Sequence, residues 1–188
     1  MASPRIIAGI ARGFRLKSVP GNTTRPVTDR VKEALFNILN GDILDARFLD
    51  LFGGTGSIGL EALSRGAGRV VMIDMERRAV EVIRQNLQLS GLPQEKAQVY
   101  CQDAFRFLKS PVSENFDYIY IAPPQYKGLW LHALEILDSS PERLAEDGQI
   151  IVQIDPVEFD PPVLTHFTQT DLRRYGSTLL IFYEYQMS

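Results

Sequence analysis

A chain of 188 residues with 45% hydrophobic side chains is long enough to bury one core of its own, and no run approaches the ~20 apolar residues of a membrane span. The net charge of −3 excludes a protein that coats nucleic acid along its whole surface. That charge is uneven: residues 1–35 carry seven basic side chains against two acidic ones, a net of +5, and the rest of the chain is at −8.

The lone Cys101 excludes an internal disulfide and reads as a reduced, buried thiol of a cytoplasmic protein. His132 and His166 stand far apart, without a Cys or second His at ligand spacing, so no metal is expected. The opening Met1-Ala2-Ser3-Pro4-Arg5, with its following apolar run cut by Arg12, does not fit a signal peptide.

In chain order, Ile6, Ile7, Ile10, Phe14, Leu16 and Val19 around Gly9 and Gly13 predict a small β-hairpin. Thr28 can cap a helix whose face is Val31, Leu35, Ile38 and Leu39 and which stops at Gly41. Residues 1–40 thus read as an N-terminal appendage, and residues 41–188 as the main domain. There the pattern becomes strand, turn, helix, repeated. Phe48 to Phe52 and Val70 to Ile73 are short apolar runs of the kind buried in a parallel sheet, with helices over Ile58 to Arg65 and around Val80, Ile83 and Leu87. Val99 to Cys101, Phe116 to Ile121, Gln149 to Ile154 and Ser177 to Tyr185 predict further strands, with a helix around Leu131, Leu134 and Leu137. The alternation defines an α/β fold, a doubly wound and mainly parallel sheet.

Gly54-Thr55-Gly56-Ser57-Ile58-Gly59 matches G-x-G-x-x-G directly after the first strand and opens the first helix of the main domain. Such a loop lets backbone approach a ligand closely and aims amides at it from a helix N-terminus. Asp74 ends the second strand 18 residues after Gly56, where a carboxylate can accept both hydroxyls of a ribose. An adenosine-containing cofactor follows, and the glycine pattern alone leaves NAD and S-adenosylmethionine open. Three neighbours favour the second. Asp50 can attend the amine of a methionyl group, Asp103 can accept from the adenine amine while Ala104 and Phe105 line the ring, and Pro123-Pro124 follow the fourth strand. A local backbone contact for Asp50 and a helix-cap role for Asp103 are the competing structural readings.

The text Phe48-Leu-Asp-Leu-Phe-Gly-Gly-Thr-Gly-Ser-Ile-Gly-Leu-Glu-Ala-Leu-Ser-Arg-Gly-Ala67 resembles the bacterial family that methylates the exocyclic amine (N2) of a guanine in small-subunit (16S) ribosomal RNA. So do Arg5-Ile-Ile-Ala-Gly9, Arg12-Gly-Phe-Arg-Leu16 and Thr24-Arg-Pro-Val-Thr-Asp-Arg-Val-Lys-Glu-Ala-Leu-Phe36, so the likeness covers nearly the whole chain. The resemblance implies a class I methyltransferase with a seven-stranded Rossmann-like sheet and S-adenosylmethionine as cofactor. Its cofactor residues would be Asp50, Phe52, Gly53, Gly54, Thr55, Gly56, Ile58, Gly59, Asp74, Met75, Asp103 and Ala104. It further implies an N-terminal segment that approaches RNA, with Arg5, Arg12, Arg15, Arg25, Arg30 and Lys32 as contacts. The partner is then small-subunit rRNA or an assembling ribosomal particle, with no membrane and no metal, and the protein is expected to be a cytoplasmic monomer.

Amino-directed methyltransferases of this kind carry Asp or Asn, Pro-Pro and an aromatic residue after the fourth strand. Acceptors on the amine's protons stabilise the positive charge that develops as its lone pair attacks. Here the loop reads Ala122-Pro123-Pro124-Gln125-Tyr126. The side-chain acceptor is missing and the aromatic is displaced by one. Losing one such acceptor costs ~1.5–3 kcal/mol, which slows transfer without abolishing it. Gln125 and Tyr126 are the candidates to compensate, the first as acceptor and the second as stacking ring. Tyr120, Tyr118 and Phe116 read as strand packing, and Trp130 as an anchor at a helix start. The alternatives are a methyltransferase of DNA adenine or another RNA amine, and an RNA- or cofactor-binding protein with weakened catalysis. A NAD-linked dehydrogenase has no hydride-transfer residues to offer.

Overall fold

The computed structural model describes residues 4–21 and 27–186. Its centre is a seven-stranded sheet: β1 (Arg47–Asp50), β2 (Arg69–Asp74), β3 (Ala97–Cys101), β4 (Phe116–Ile121), β5 (Leu144–Ile154), β6 (Phe167–Tyr175) and β7 (Thr178–Tyr185), in the order β3-β2-β1-β4-β5-β7-β6. The first five are parallel, and β7 runs antiparallel to both β5 and β6. The apolar runs at Phe48–Leu49 and Val70–Ile73 are fully buried, as strands covered on both faces must be.

Two cores result. Helices α1 (Asp29–Leu39), α2 (Ser57–Ser64) and α3 (Arg77–Leu89) cover one face, where Leu35, Phe36, Ile58 and Ile83 meet Phe48, Tyr120 and Ile151. On the other face α4 (Ala104–Leu108) and α5 (Leu129–Ser139) bring Leu108, Trp130 and Leu134 against Leu49, Val71 and Ile119. Trp130 is buried at the first turn of α5, as its reading as an anchor requires. The Thr28 hydroxyl caps α1 by accepting from the Val31 amide.

The N-terminal turn is antiparallel but minimal. Its ladder is a single bridge between Arg5 and Arg15, flanked by Ile6 N–H donating to Phe14 O at 2.9 Å and Leu16 N–H to Pro4 O at 2.7 Å. Ile6, Leu16, Val31 and Leu39 belong to the same buried cluster as Ile58 and Leu63, so this segment shares a core with the sheet.

Beyond the hairpin reduced to one bridge, the sheet and its helices differ from the sequence reading in three places. The edge strand β6 carries Thr168, Gln169, Thr170, Asp171, Arg173 and Arg174, is mostly exposed and bulges between Gln169 and Asp171, so it shows no apolar alternation to read. The five-residue α4 is too short for helical periodicity. Cys101, expected to be buried, is exposed, because β3 is the opposite edge of the sheet and its last two residues lie open.

Candidate active site

The carboxyl ends of the parallel strands gather most of the expected site residues at one edge. The order places β1 between β2 and β4, so the chain leaves β1 at the point where the winding reverses, where α/β sheets open a ligand crevice. The glycine loop follows β1, Asp74 and Met75 close β2, Asp103 and Ala104 follow β3, and residues 122–126 follow β4.

Local geometry explains the glycines. Gly54 and Gly56 have φ of +56° and +80°, the left-handed region that side chains resist. A Cβ on Gly59 would meet the Met72 side chain at 2.6 Å, so with any other residue there Met72 must shift for helix α2 to lie this close to β2. Around Gly54 there is open space instead, a cradle for a ligand. The Asp74 carboxylate braces the loop by accepting the Gly54 amide at 2.9 Å while its other oxygen accepts the Glu76 amide at 2.8 Å. Burial raises the Asp74 pKa, and those two amides oppose the shift.

Asp50 lies buried at the end of β1, with Oδ1 lacking any hydrogen-bond partner among the described residues. Desolvation pushes its carboxyl from 3.8 up to about 7, against the pull of the Phe52 and Gly59 backbone amides. A buried acceptor without a partner is costly, and a cationic amine is the group that would satisfy it. Together with the open cradle at Gly54, this donor set fits S-adenosylmethionine. Phe52 packs edge-on to Phe105 at 6.3 Å between ring centroids, and the Phe105 ring stands 4.7 Å from that of His132. Met75 is exposed after Asp74, Thr55 lies in the loop, Ile58 sits in the first turn of α2 with its side chain turned into the core, and Asp103 caps α4 by accepting the Arg106 amide at 2.8 Å.

In the loop after β4, Ala122 is half-buried, Pro123 is buried, and Pro124, Gln125 and Tyr126 are exposed. Tyr126 has φ +62° and its hydroxyl donates to Asp155 Oδ2 at 3.0 Å, across from the end of β5. On the strand itself the buried Tyr120 phenol donates to Gln153 Oε1 at 2.5 Å.

Of the expected RNA contacts, Arg5, Arg12, Arg15 and Arg30 are exposed, with Arg5 Nε donating to Asp29 at 2.8 Å. Arg25 lies outside the described residues. Lys32 is a correction. Its side chain is sealed from solvent, with Nζ bound to Arg5 O, to Ser57 Oγ at 3.1 Å and to Glu61 at 3.2 Å, so it cannot meet a phosphate from this position. Its apolar neighbours Val31, Leu35 and Phe36 gave the cue, since position 32 lies on the buried face of α1.

Three further residues escaped the sequence reading. Asn86, fully buried on α3, donates to Thr55 O at 2.9 Å and Lys17 O at 3.1 Å and accepts the Lys17 amide at 2.8 Å, latching the cofactor loop to the N-terminal segment. An amide on the same helical face as Ile83 and Leu87 was its signal. Gln153 and Asp155 gave none, because only the β4–β5 pairing brings them to the loop. Among the described residues, no cluster of three His, Cys, Asp or Glu side chains is placed to hold a metal, and no helix is long and apolar enough to cross a membrane.

Fold and site together define a class I methyltransferase that uses S-adenosylmethionine. The chain belongs to the family described as "Conserved hypothetical protein 95", whose profile matches residues 4–184. It is similar to the "Putative rRNA methyltransferase YlbH" of Bacillus subtilis, at 37% identity over 182 residues covering 96% of this chain and 98% of the relative. To the "Ribosomal RNA small subunit methyltransferase D" of Haemophilus influenzae it is 34% identical over 183 residues, 97% and 93% of the two chains. Among solved structures, the "Putative methyltransferase yhhF from Escherichia coli" superposes with a TM-score of 0.84 at 32% identity, covering 97% of each chain.

Proposed function

We propose that this protein transfers a methyl group from S-adenosylmethionine to the exocyclic amine of a guanine in small-subunit rRNA, working as a monomer on free RNA or an assembling particle. The observation that carries it is a Pro-Pro loop after β4, the strand next to β1, whose last residue Asp50 keeps an unpartnered Oδ1 before the glycine cradle. Near-full-length kinship to small-subunit rRNA methyltransferases supports the substrate.

In this reading Asp50 holds the cofactor's amine, the Asp74 carboxylate receives the ribose hydroxyls, and Met75, Asp103, Ala104 and Phe105 border the adenine. When bound, S-adenosylmethionine would supply an electrophilic methyl group to the amine and would leave as the neutral thioether. The chain's residues do the rest. Pro123 and Pro124 stiffen the loop so that the Ala122 and Pro123 carbonyls can accept from the amine, and the exposed Tyr126 ring is the surface on which an extruded base can stack. Residues 1–40 form the RNA-facing appendage, whose exposed Arg5, Arg12, Arg15 and Arg30 meet phosphates, and residues 41–188 the methyltransferase domain.

The test is made on cells in which the gene is deleted. Mass mapping of their small-subunit rRNA should show one guanosine lacking a methyl group, restored by the gene. Unchanged rRNA would refute the substrate assignment. Ala122 favours a second reading, a binding protein with weakened turnover, which predicts cofactor binding with no transfer to any RNA.

A further inference from the structure

We propose that Gln153 supplies the side-chain acceptor that Ala122 lacks, its amide oxygen aligned by the Tyr120 phenol to take an N–H of the target amine. The inference rests on the methyl-transfer reading above. The β4–β5 pairing runs Ile119↔Ile150, Tyr120↔Ile151 and Ile121↔Val152, and Ala122 and Gln153 are the residues that follow its last pair. Side chains alternate along a strand, which puts Tyr120, Ile151 and Gln153 on one face, and Ala122, one residue past β4, packs against the core that holds Tyr120 and Ile151. Asp50 pairs with Tyr120 across β1 and β4, so it shares that face. A polar row therefore crosses three adjacent strands, from the carboxylate at the cofactor end to the amide beside the Pro-Pro loop.

Burial and hydrogen bonding fit the role. Tyr120 is buried with its hydroxyl engaged by Gln153, whereas Gln153 itself is only half-buried. Burial holds the phenol well above its ordinary pKa, and the Asp50 charge adds to this, so Tyr120 stays a donor. An amide oxygen has two acceptor sites. The phenol occupies one at 2.5 Å, leaving the other for the amine. The bond also fixes a side chain that would otherwise lose rotamer freedom on binding. In the transfer the amine nitrogen bonds to carbon, the S–CH3 pair goes to sulfur, and the surplus proton leaves to water. Gln153 accepts a hydrogen bond and takes no proton. Gln125, the candidate by spacing, is exposed on the loop, with no hydrogen bond among the described residues that fixes it.

The test compares the wild-type protein, Gln153→Ala, Tyr120→Phe and the double variant Gln153→Ala with Ala122→Asn. Single-turnover methyl transfer to unmodified small-subunit rRNA is measured beside cofactor affinity and thermal midpoint. Gln153→Ala should slow transfer about 10- to 100-fold with cofactor affinity and RNA KM held within about threefold. Ala122→Asn in that background should recover most of the rate, because it restores an acceptor from the loop that follows the neighbouring strand. Tyr120→Phe should lose less, about three- to tenfold, since the acceptor remains but is no longer aligned. A wild-type rate in Gln153→Ala overturns the inference alone. So does a loss that Ala122→Asn fails to recover while the thermal midpoint falls, which marks a packing role. A wild-type protein inert on every RNA form would overturn the methyl-transfer reading itself, and this inference with it.

Discussion

Lys32 Nζ lies 3.2 Å from Glu61 Oε2, with the two side chains at 1% and 0% exposure, and the pair joins α1 to α2 under the N-terminal turn. Glu61 also accepts the Ile7 amide at 2.8 Å, the Ala8 amide at 3.0 Å and Arg65 Nε at 2.8 Å, while Lys32 reaches Ser57 at the first residue of α2. Burial lowers the Lys32 pKa and the Glu61 charge opposes that shift. The segment expected to face RNA is thus tied to the helix that carries the cofactor loop.

Breaking one side of such a pair leaves a buried charge without compensation. Glu61→Gln and Lys32→Met should each cost ~3–5 kcal/mol in urea unfolding, and the double variant carrying both changes should cost much less than their sum. A double-variant cost equal to the sum of the two single costs would show the two sites to be independent.

Asp50 makes the protein's behaviour depend on pH. Its folded pKa of about 7 stands above the ordinary 3.8, so the cofactor-free fold binds a proton the unfolded chain releases. The stability it contributes is full below about pH 4 and is lost as pH rises through about 7. Asp50→Asn should flatten that slope in chemical denaturation. Cofactor affinity should run the other way, tightening up to about tenfold per unit between pH 5 and 7 as the carboxylate forms, and calorimetry on Asp50→Asn should show a weak, level profile.

Gly9 fixes how the N-terminal turn sits. It has φ +82°, and a Cβ there would fall 1.8 Å from Ser64 O, the same oxygen that accepts the Ile10 amide at 2.9 Å. Gly9→Ala must lift the turn from α2. We expect a loss of ~1–3 kcal/mol, a raised KM for RNA, and cofactor affinity within about threefold of wild type. An unchanged KM would separate the turn from the RNA.

Much of the sheet could be read from the sequence because its inner strands are continuous apolar runs and its glycine loop has local cause. β6 could not, since an edge strand exposed along most of its length and broken by a bulge shows no apolar alternation. The site divides the same way. Asp50, Asp74 and the loop glycines are legible because each sits next to a strand end in the chain. Asn86, Gln153 and the burial of Lys32 depend on which elements pack together, and the charge of Lys32 argued for solvent while its helical position argued for the core.

The exposed arginines offer a graded test of the RNA face. Arg12→Ala, Arg15→Ala and Arg30→Ala should each reduce the slope of log binding constant against log salt by ~0.7 and leave cofactor binding untouched. Salt slopes equal to wild type would place the RNA elsewhere.

The most direct measurement is transfer of labelled methyl from S-adenosylmethionine to unmodified small-subunit rRNA, free and in reconstituted particles, followed by nucleoside digestion. Label recovered as N2-methylguanosine is the predicted result. Tight cofactor binding with no label in either RNA form would contradict the account.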